Sequence, residues 1–189
     1  MRREHDAYMT PIKLAVEMCA QFEKINGKQP LSVLEPSAGN GVFLLAAGAV
    51  GWDKSHWTCF EIRDEPHPVV PGIMTDWSNK IDFLEVHPSP VVGAKFNICI
   101  GNPPYKLAKQ FVEKALKHAD NVMFLLRLGF LASKKRSDLF TYHKPSNVWV
   151  LQTRPRFTDV GVDNSEYCIV HWGPSRGDTK LHWIGGSWK

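Results

Sequence analysis

The apolar stretch Phe96-Asn97-Ile98-Cys99-Ile100-Gly101 runs straight into Asn102-Pro103-Pro104-Tyr105, and that junction limits what this chain can fold into. A short β-rich run bounded by glycine and then proline reads as a buried strand that stops abruptly. Two consecutive prolines set φ twice and remove two N–H donors, so the carbonyls there are available to something other than a sheet. An amide, a carbonyl and an aromatic ring are thereby placed at the carboxyl edge of a strand, where open α/β sheets bind their ligands.

The chemistry open to these groups follows. An amino group on a nucleobase is a poor nucleophile because its lone pair is delocalised into the ring. If the Asn102 side-chain oxygen and the Pro103 carbonyl accept its two hydrogens, the nitrogen moves toward sp3 and the lone pair is released. Tyr105 can stack on a base that has left its helix. The plainer alternative is a turn in which Asn102 caps locally and Tyr105 fills the core.

At 189 residues, with 43% hydrophobic and 22% charged residues, the chain fits one globular domain with a substantial core. A net charge of +4 permits an acidic partner without demanding one. The basic residues cluster only modestly, at Lys134-Lys135-Arg136, Arg154/Arg156 and Lys106/Lys109. Four isolated cysteines (Cys19, Cys59, Cys99, Cys168) read as small buried hydrophobes of a reducing cytosol. The eight histidines show no ligand spacing, so no metal site is expected. No signal peptide or membrane-spanning run is evident, which points to a cytoplasmic protein without membrane contact.

Along the chain, Thr10 reads as an N-cap and Pro11 as a first helical residue. Leu14, Met18, Phe22 and Ile25 mark one face of a helix that stops near Asn26-Gly27. Leu31–Leu34 reads as a first strand, followed by the turn Glu35-Pro36-Ser37-Ala38-Gly39-Asn40-Gly41 and a helix over Val42–Val50. That turn lacks both the three-glycine dinucleotide fingerprint and a P-loop lysine, which argues against NAD or ATP. Its acidic and small residues suit a ligand carrying an ammonium group and a ribose.

Trp57–Phe60 reads as a second strand ending at Glu61. An acid about 20 positions past a glycine turn is placed to bind ribose hydroxyls, although Glu61 could equally be a surface carboxylate. Asp64–Gly72 is a proline-rich loop. Two acid–aromatic pairs follow, Asp76-Trp77 and Asp82-Phe83; either can accept from an adenine amino group, and Asp82-Phe83 is preferred. A helix over Ala108–Ala119, a buried strand over Asn121–Leu128 and a short helix within Ser133–His143 come next. Val148–Leu151 and Tyr167–Trp172 read as a closing antiparallel pair, with a loop from Arg154 to Asp163 between them. Leu181–Ile184 is expected to extend the core.

These pieces resemble class I S-adenosylmethionine-dependent methyltransferases, most of all the N6-adenine DNA methyltransferases, with the cofactor turn ahead of the catalytic motif. Tyr8-Met9-Thr10-Pro11 is similar to the family's amino-terminal cofactor motif, and Leu34 to Gly41 to its glycine-rich turn. Glu61 matches the ribose-binding acid and Asp82-Phe83 the adenine-contacting pair. Asn102-Pro103-Pro104-Tyr105 is an unaltered copy of the catalytic motif. The Arg154-Pro155-Arg156-Phe157 loop resembles small methyltransferases of phages and mobile elements, where Phe157 would pack beside the flipped base with Arg156 nearby, or else close the core.

The resemblance implies an α/β, Rossmann-like sheet of seven mostly parallel strands with a reversed last strand and helices on both faces. It implies S-adenosyl-L-methionine as methyl donor, held by Tyr8, Thr10, Pro11, Glu35, Pro36, Ser37, Gly39, Gly41, Glu61, Asp82, Phe83 and Asn102. It implies adenine-specific DNA methylation, as in restriction–modification, in a bacterial or phage setting. Transfer would be an in-line displacement dominated by orientation and hydrogen bonding. Such enzymes usually carry a separate DNA-reading domain, and none is expected here, so readout falls to loops or a specificity subunit. The same motif serves RNA adenine and protein glutamine methylation, and a non-catalytic scaffold is a further class. Glutamine enzymes usually carry a helical domain ahead of the core, for which there is room here for only about one helix.

Overall fold

The computed structural model of the chain describes residues 8–91, 93–157, 164–174 and 177–188. The elements are α1 (Ile12–Asn26), β1 (Ser32–Glu35), α2 (Val42–Ala49), β2 (His56–Glu61), β3 (Met74–Asn79), β4 (Ile98–Gly101), α3 (Ala108–His118), β5 (Val122–Arg127), α4 (Ser137–Tyr142), β6 (Asn147–Leu151), β7 (Tyr167–Trp172) and β8 (Lys180–Ile184). They form one sheet in the order β3-β2-β1-β4-β5-β7-β6-β8. The first five positions pair in parallel, and β7 runs antiparallel to both β5 and β6.

The expected α/β fold is present, with one strand more than seven among the described residues. β8 pairs in parallel with β6 and takes the outer edge, so the reversed strand is not the last one. Leu181 and Trp183 stand exposed on β8, while Ile184 packs against the core, so the strand extends the sheet and reaches the core only through Ile184. The other outer strand, β3, is a further departure from the expected pattern. Its Met-Thr-Asp-Trp-Ser-Asn sequence has little strand propensity, and edge position relaxes the demand for it.

Alternation along the central strands builds two hydrophobic layers, one on each face. Val33, Ile98, Ile100, Met123 and Leu125 join the layer under α1 and α2. Leu34, Cys99, Val122, Phe124 and Leu126 join the layer under α3. All four cysteines are free and buried among these groups; burial pushes the Cys168 thiol up to about 12. On α1, Leu14, Met18 and Phe22 face the core as expected, whereas Ile25 is exposed in the last turn, just before Gly27 ends the helix at φ 74°. Among the described residues no helix is long and apolar enough to cross a membrane.

Candidate active site

The sheet order reverses between β1 and β4, and their carboxyl ends open together into a crevice. A cavity of about 320 Å³ occupies it, within the range of small-molecule sites. Pro36, Ser37 and Gly39 line it from the turn after β1, and Glu61 from the end of β2. Asp82, Phe83, Tyr8, Asn102 and Pro104 complete the predicted residues that it brings together. Sequence reasoning missed Arg63, which also lines it, two residues beyond Glu61.

Glu61 organises this edge. It is buried, and its Oε2 accepts from the Gly39 backbone N–H at 2.6 Å. Its Oε1 accepts from the backbone N–H and the Nε of Arg63, each at 2.9 Å. Arg63 also pairs with Glu65 at 2.7 Å. Both carboxylate oxygens of the ribose-binding candidate thus already hold the glycine turn and an arginine. Glu35 lies deeper, 1% exposed, with its Oε2 lacking a partner. Burial, and then the Glu61 charge, raise its carboxyl well above the ordinary carboxylate range.

Several predicted cofactor residues are not in the cavity wall. Glu35 and Pro11 do not reach it, and Pro11, not Thr10, occupies the cap position of α1, its carbonyl accepting from the N–H groups of Leu14 and Ala15. Gly41 is a folding requirement: φ is 76°, and an added Cβ would lie 2.3 Å from Pro68 Cδ. Asp82 accepts from the Leu84 N–H at 2.8 Å and caps a short 3-10 turn, while Phe83 is 1% exposed beneath it. The rival acid Asp76 points elsewhere, pairing with His56 at 2.7 Å on the sheet edge.

At the Asn-Pro-Pro-Tyr motif, the Asn102 Nδ2 donates to the Tyr8 carbonyl and to Thr10 Oγ1, both at 3.0 Å. A backbone carbonyl only accepts, so this contact determines which end of the amide is nitrogen. Asn102 Oδ1 is left buried and without a partner. The motif's carbonyls are less available than expected: that of Asn102 accepts from Ser37 Oγ at 3.3 Å, and that of Pro104 from the Leu107 N–H at 2.9 Å.

Tyr105 turns away from this cavity into an aromatic cluster, its ring centroid 5.3 Å from Tyr8 and 5.6 Å from Tyr167. Its hydroxyl is buried and makes no well-formed hydrogen bond, although the Asn102 and Tyr167 side chains lie near it; burial, reinforced by Tyr167, raises it well above the usual phenol range. Tyr105 instead lines a second cavity of about 230 Å³ with Lys106, Arg127 and Arg136. Pro103 is buried and lines neither cavity.

Phe157 is 5% exposed and packs edge-on against Tyr8 and Tyr167, at 5.5 and 5.1 Å. It closes the core and presents no open face to a base. Arg156 is exposed beside it, outside both cavities, and its backbone N–H donates to the Trp188 carbonyl. The part of the predicted loop from Thr158 to Asp163 lies outside the described residues.

No family model matches the sequence, and no curated protein matches it either. Solved structures do. A Streptococcus thermophilus type I restriction-modification system methyltransferase subunit superposes with a TM-score of 0.71 at 14% identity, over 94% of this chain and 47% of that one. A Listeria monocytogenes protein described as a class I S-adenosylmethionine-dependent methyltransferase gives 0.69 at 12% identity, over 97% and 67%. The 23S rRNA methyltransferase ErmE gives 0.61 at 17% identity, over 91% and 71%. The chain spans about half the length of the type I subunit. At these identities the likeness concerns the backbone: this chain has the α/β, Rossmann-like fold of class I methyltransferases.

Proposed function

We propose that the protein transfers a methyl group from S-adenosyl-L-methionine to the N6 amino group of adenine in DNA. The observation that carries this reading is the Asn102 amide: its nitrogen is tied down by Tyr8 and Thr10, and its buried oxygen lacks a partner beside the crevice cavity. A buried acceptor without a donor is costly, and an incoming amino group would satisfy it. The Pro103 carbonyl would take the second hydrogen.

The methyl donor fits the crevice cavity. Its volume suits a nucleoside-sized molecule, and Glu61 and Asp82 place two carboxyl groups in a wall otherwise rich in apolar and small residues. The donor would supply an electrophilic methyl group; the chain supplies orientation and the acceptors that release the lone pair. Similarity to a methyltransferase subunit of a type I restriction-modification system supports a nucleic-acid substrate and action beside partner subunits; target selection would then fall to loops or to such a partner. The second reading is adenine methylation in RNA, and similarity to an rRNA methyltransferase supports its RNA substrate.

Radiolabelled methyl transfer from S-adenosylmethionine to unmethylated duplex DNA, single-stranded DNA, RNA and protein tests this, with products digested and identified by mass. N6-methyladenine from DNA is expected. Methyl label found only in RNA or only in glutamine would replace the reading.

A further inference from the structure

Arg127 closes β5 and emerges at the same carboxyl edge as the Asn-Pro-Pro-Tyr motif, because β4 and β5 are parallel neighbours. Its guanidinium carbon lies 4.9 Å from the centre of the Tyr105 ring and 5.7 Å from that of Tyr8. Its Nη2 donates to the Tyr8 hydroxyl at 3.4 Å. The other ring neighbours of Tyr105, Tyr8 and Tyr167, belong to the packed aromatic cluster, and Tyr167 is only 1% exposed. Arg127 is the ring neighbour that shares the second cavity with Tyr105.

A guanidinium is planar and delocalised, and it stacks on an aromatic face much as a nucleobase does. The cavity around it also carries Lys106 and Arg136, and none of the described residues lining it is acidic. Such a lobe attracts an anion. A protein glutamine brings none, whereas a nucleotide brings a phosphate on each side of its base.

Resting on the reading of Tyr105 as a stacking platform, we propose that Arg127 covers the Tyr105 ring in the free protein and gives way to the target base, its guanidinium then engaging a phosphate beside that base. The same side chain shields the platform from water and ties the site to polynucleotides. Stacking and charge-assisted pairing with phosphate offset the contacts Arg127 gives up, the ring contacts with Tyr105 and Tyr8 and the hydrogen bond to the Tyr8 hydroxyl among them.

The test compares wild type with Arg127→Ala and Arg127→Lys, after thermal denaturation has shown which variants fold. A fluorescein-labelled mixed-sequence oligonucleotide is titrated across a salt series, and N6-methyladenine formation on unmethylated genomic DNA is followed in parallel. For Arg127→Ala, oligonucleotide binding should weaken about fivefold to tenfold, and the slope of log K against log salt should shrink by about one. KM for DNA should rise more than kcat falls. Arg127→Lys keeps a charge but not a planar stack, so it should keep the salt slope while KM still rises; it carries the test if the alanine variant does not fold. Unchanged binding, slope and KM would overturn the proposal, as would a loss confined to kcat, which would mean that Arg127 merely supports Tyr105. If wild type makes no N6-methyladenine in any nucleic acid, the parent reading of the site fails instead.

Discussion

Asn102 and Thr10, 92 residues apart, are joined by a 3.0 Å hydrogen bond from the Asn102 Nδ2 to the Thr10 hydroxyl. With the Tyr8 carbonyl, this contact determines which way the amide points and leaves its oxygen facing an unmet demand for a donor. Asn102→Ala should lower single-turnover methyl transfer by about 100-fold or more, as removal of a preorganised hydrogen-bonding group does elsewhere. Thr10→Val loses one of two anchors and should cost about tenfold, through misplacement alone. Full activity in Asn102→Ala would refute amino-group activation by this side chain.

The proposed function assigns Tyr105 a role through its ring and not through its hydroxyl. The hydroxyl is buried without a well-formed hydrogen bond, so Tyr105→Phe removes a polar group that folding leaves poorly satisfied. Denaturant unfolding should show the variant unchanged or more stable, by up to about 1 kcal/mol. Its turnover should stay near wild type, as should that of Tyr105→Trp, while Tyr105→Ala should lose most of it. A large loss in Tyr105→Phe would assign the hydroxyl a role in the reaction.

Gly41 meets two independent demands. A φ of 76° disfavours any side chain, and Pro68 already occupies the place of its Cβ. Gly41→Ala should destabilise by about 2–4 kcal/mol, combining left-handed strain with overpacking. Gly27, at φ 74° with open space around its missing Cβ, provides the control. Gly27→Ala should cost only the conformational part, about 1–2 kcal/mol. Equal losses at the two positions would show that the Pro68 contact is readily relieved.

His171 introduces a pH dependence far from the site. It is 2% exposed on β7, and burial lowers its pKa to about 4. Asn121 Oδ1 lies 3.1 Å from its Nε2 and Asn147 Nδ2 3.2 Å from its Nδ1. The Asn121 Nδ2 donates to the Asn97 carbonyl, so its oxygen faces the ring and accepts, while Asn147 donates. These roles require the neutral imidazole protonated at Nε2. The unfolded chain takes up a proton near pH 6.5 that the folded one refuses until about pH 4, so stability falls as pH falls through that window, by about 3 kcal/mol in all. Glu35 acts with the opposite sign, because a buried carboxyl with a raised pKa contributes stability that is lost as pH rises. The difference between wild type and His171→Gln, measured by denaturant unfolding across pH, isolates the histidine. A difference independent of pH would show that the folded ring takes up its proton at the same pH as the unfolded one.

Much of the fold was legible because alternation and turn residues report directly on local geometry. Val33 and Leu34 part to opposite faces of the sheet, as strand periodicity demands. Gly27 ends α1 as expected, and the twin prolines end β4. What escaped were the edges. Asp76, Ser78 and Asn79 gave β3 no strand signature, and Leu181 and Trp183 looked like core because apolar residues on an edge strand carry the same pattern.

The sequence by itself determined the order of elements, the glycine turn beside an acid and the four-residue motif at a strand end. These depend on neighbours a few residues away, where backbone sterics and side-chain period decide. Only the tertiary structure decided what those groups touch. It placed Thr10 behind Asn102 and not at the helix cap, put both Glu61 oxygens on the turn and on Arg63, and turned Phe157 inward. It also laid Arg127 over Tyr105. The physical reason is the sheet order: strands brought side by side join residues tens of positions apart, and periodicity along one strand carries no information about its neighbour.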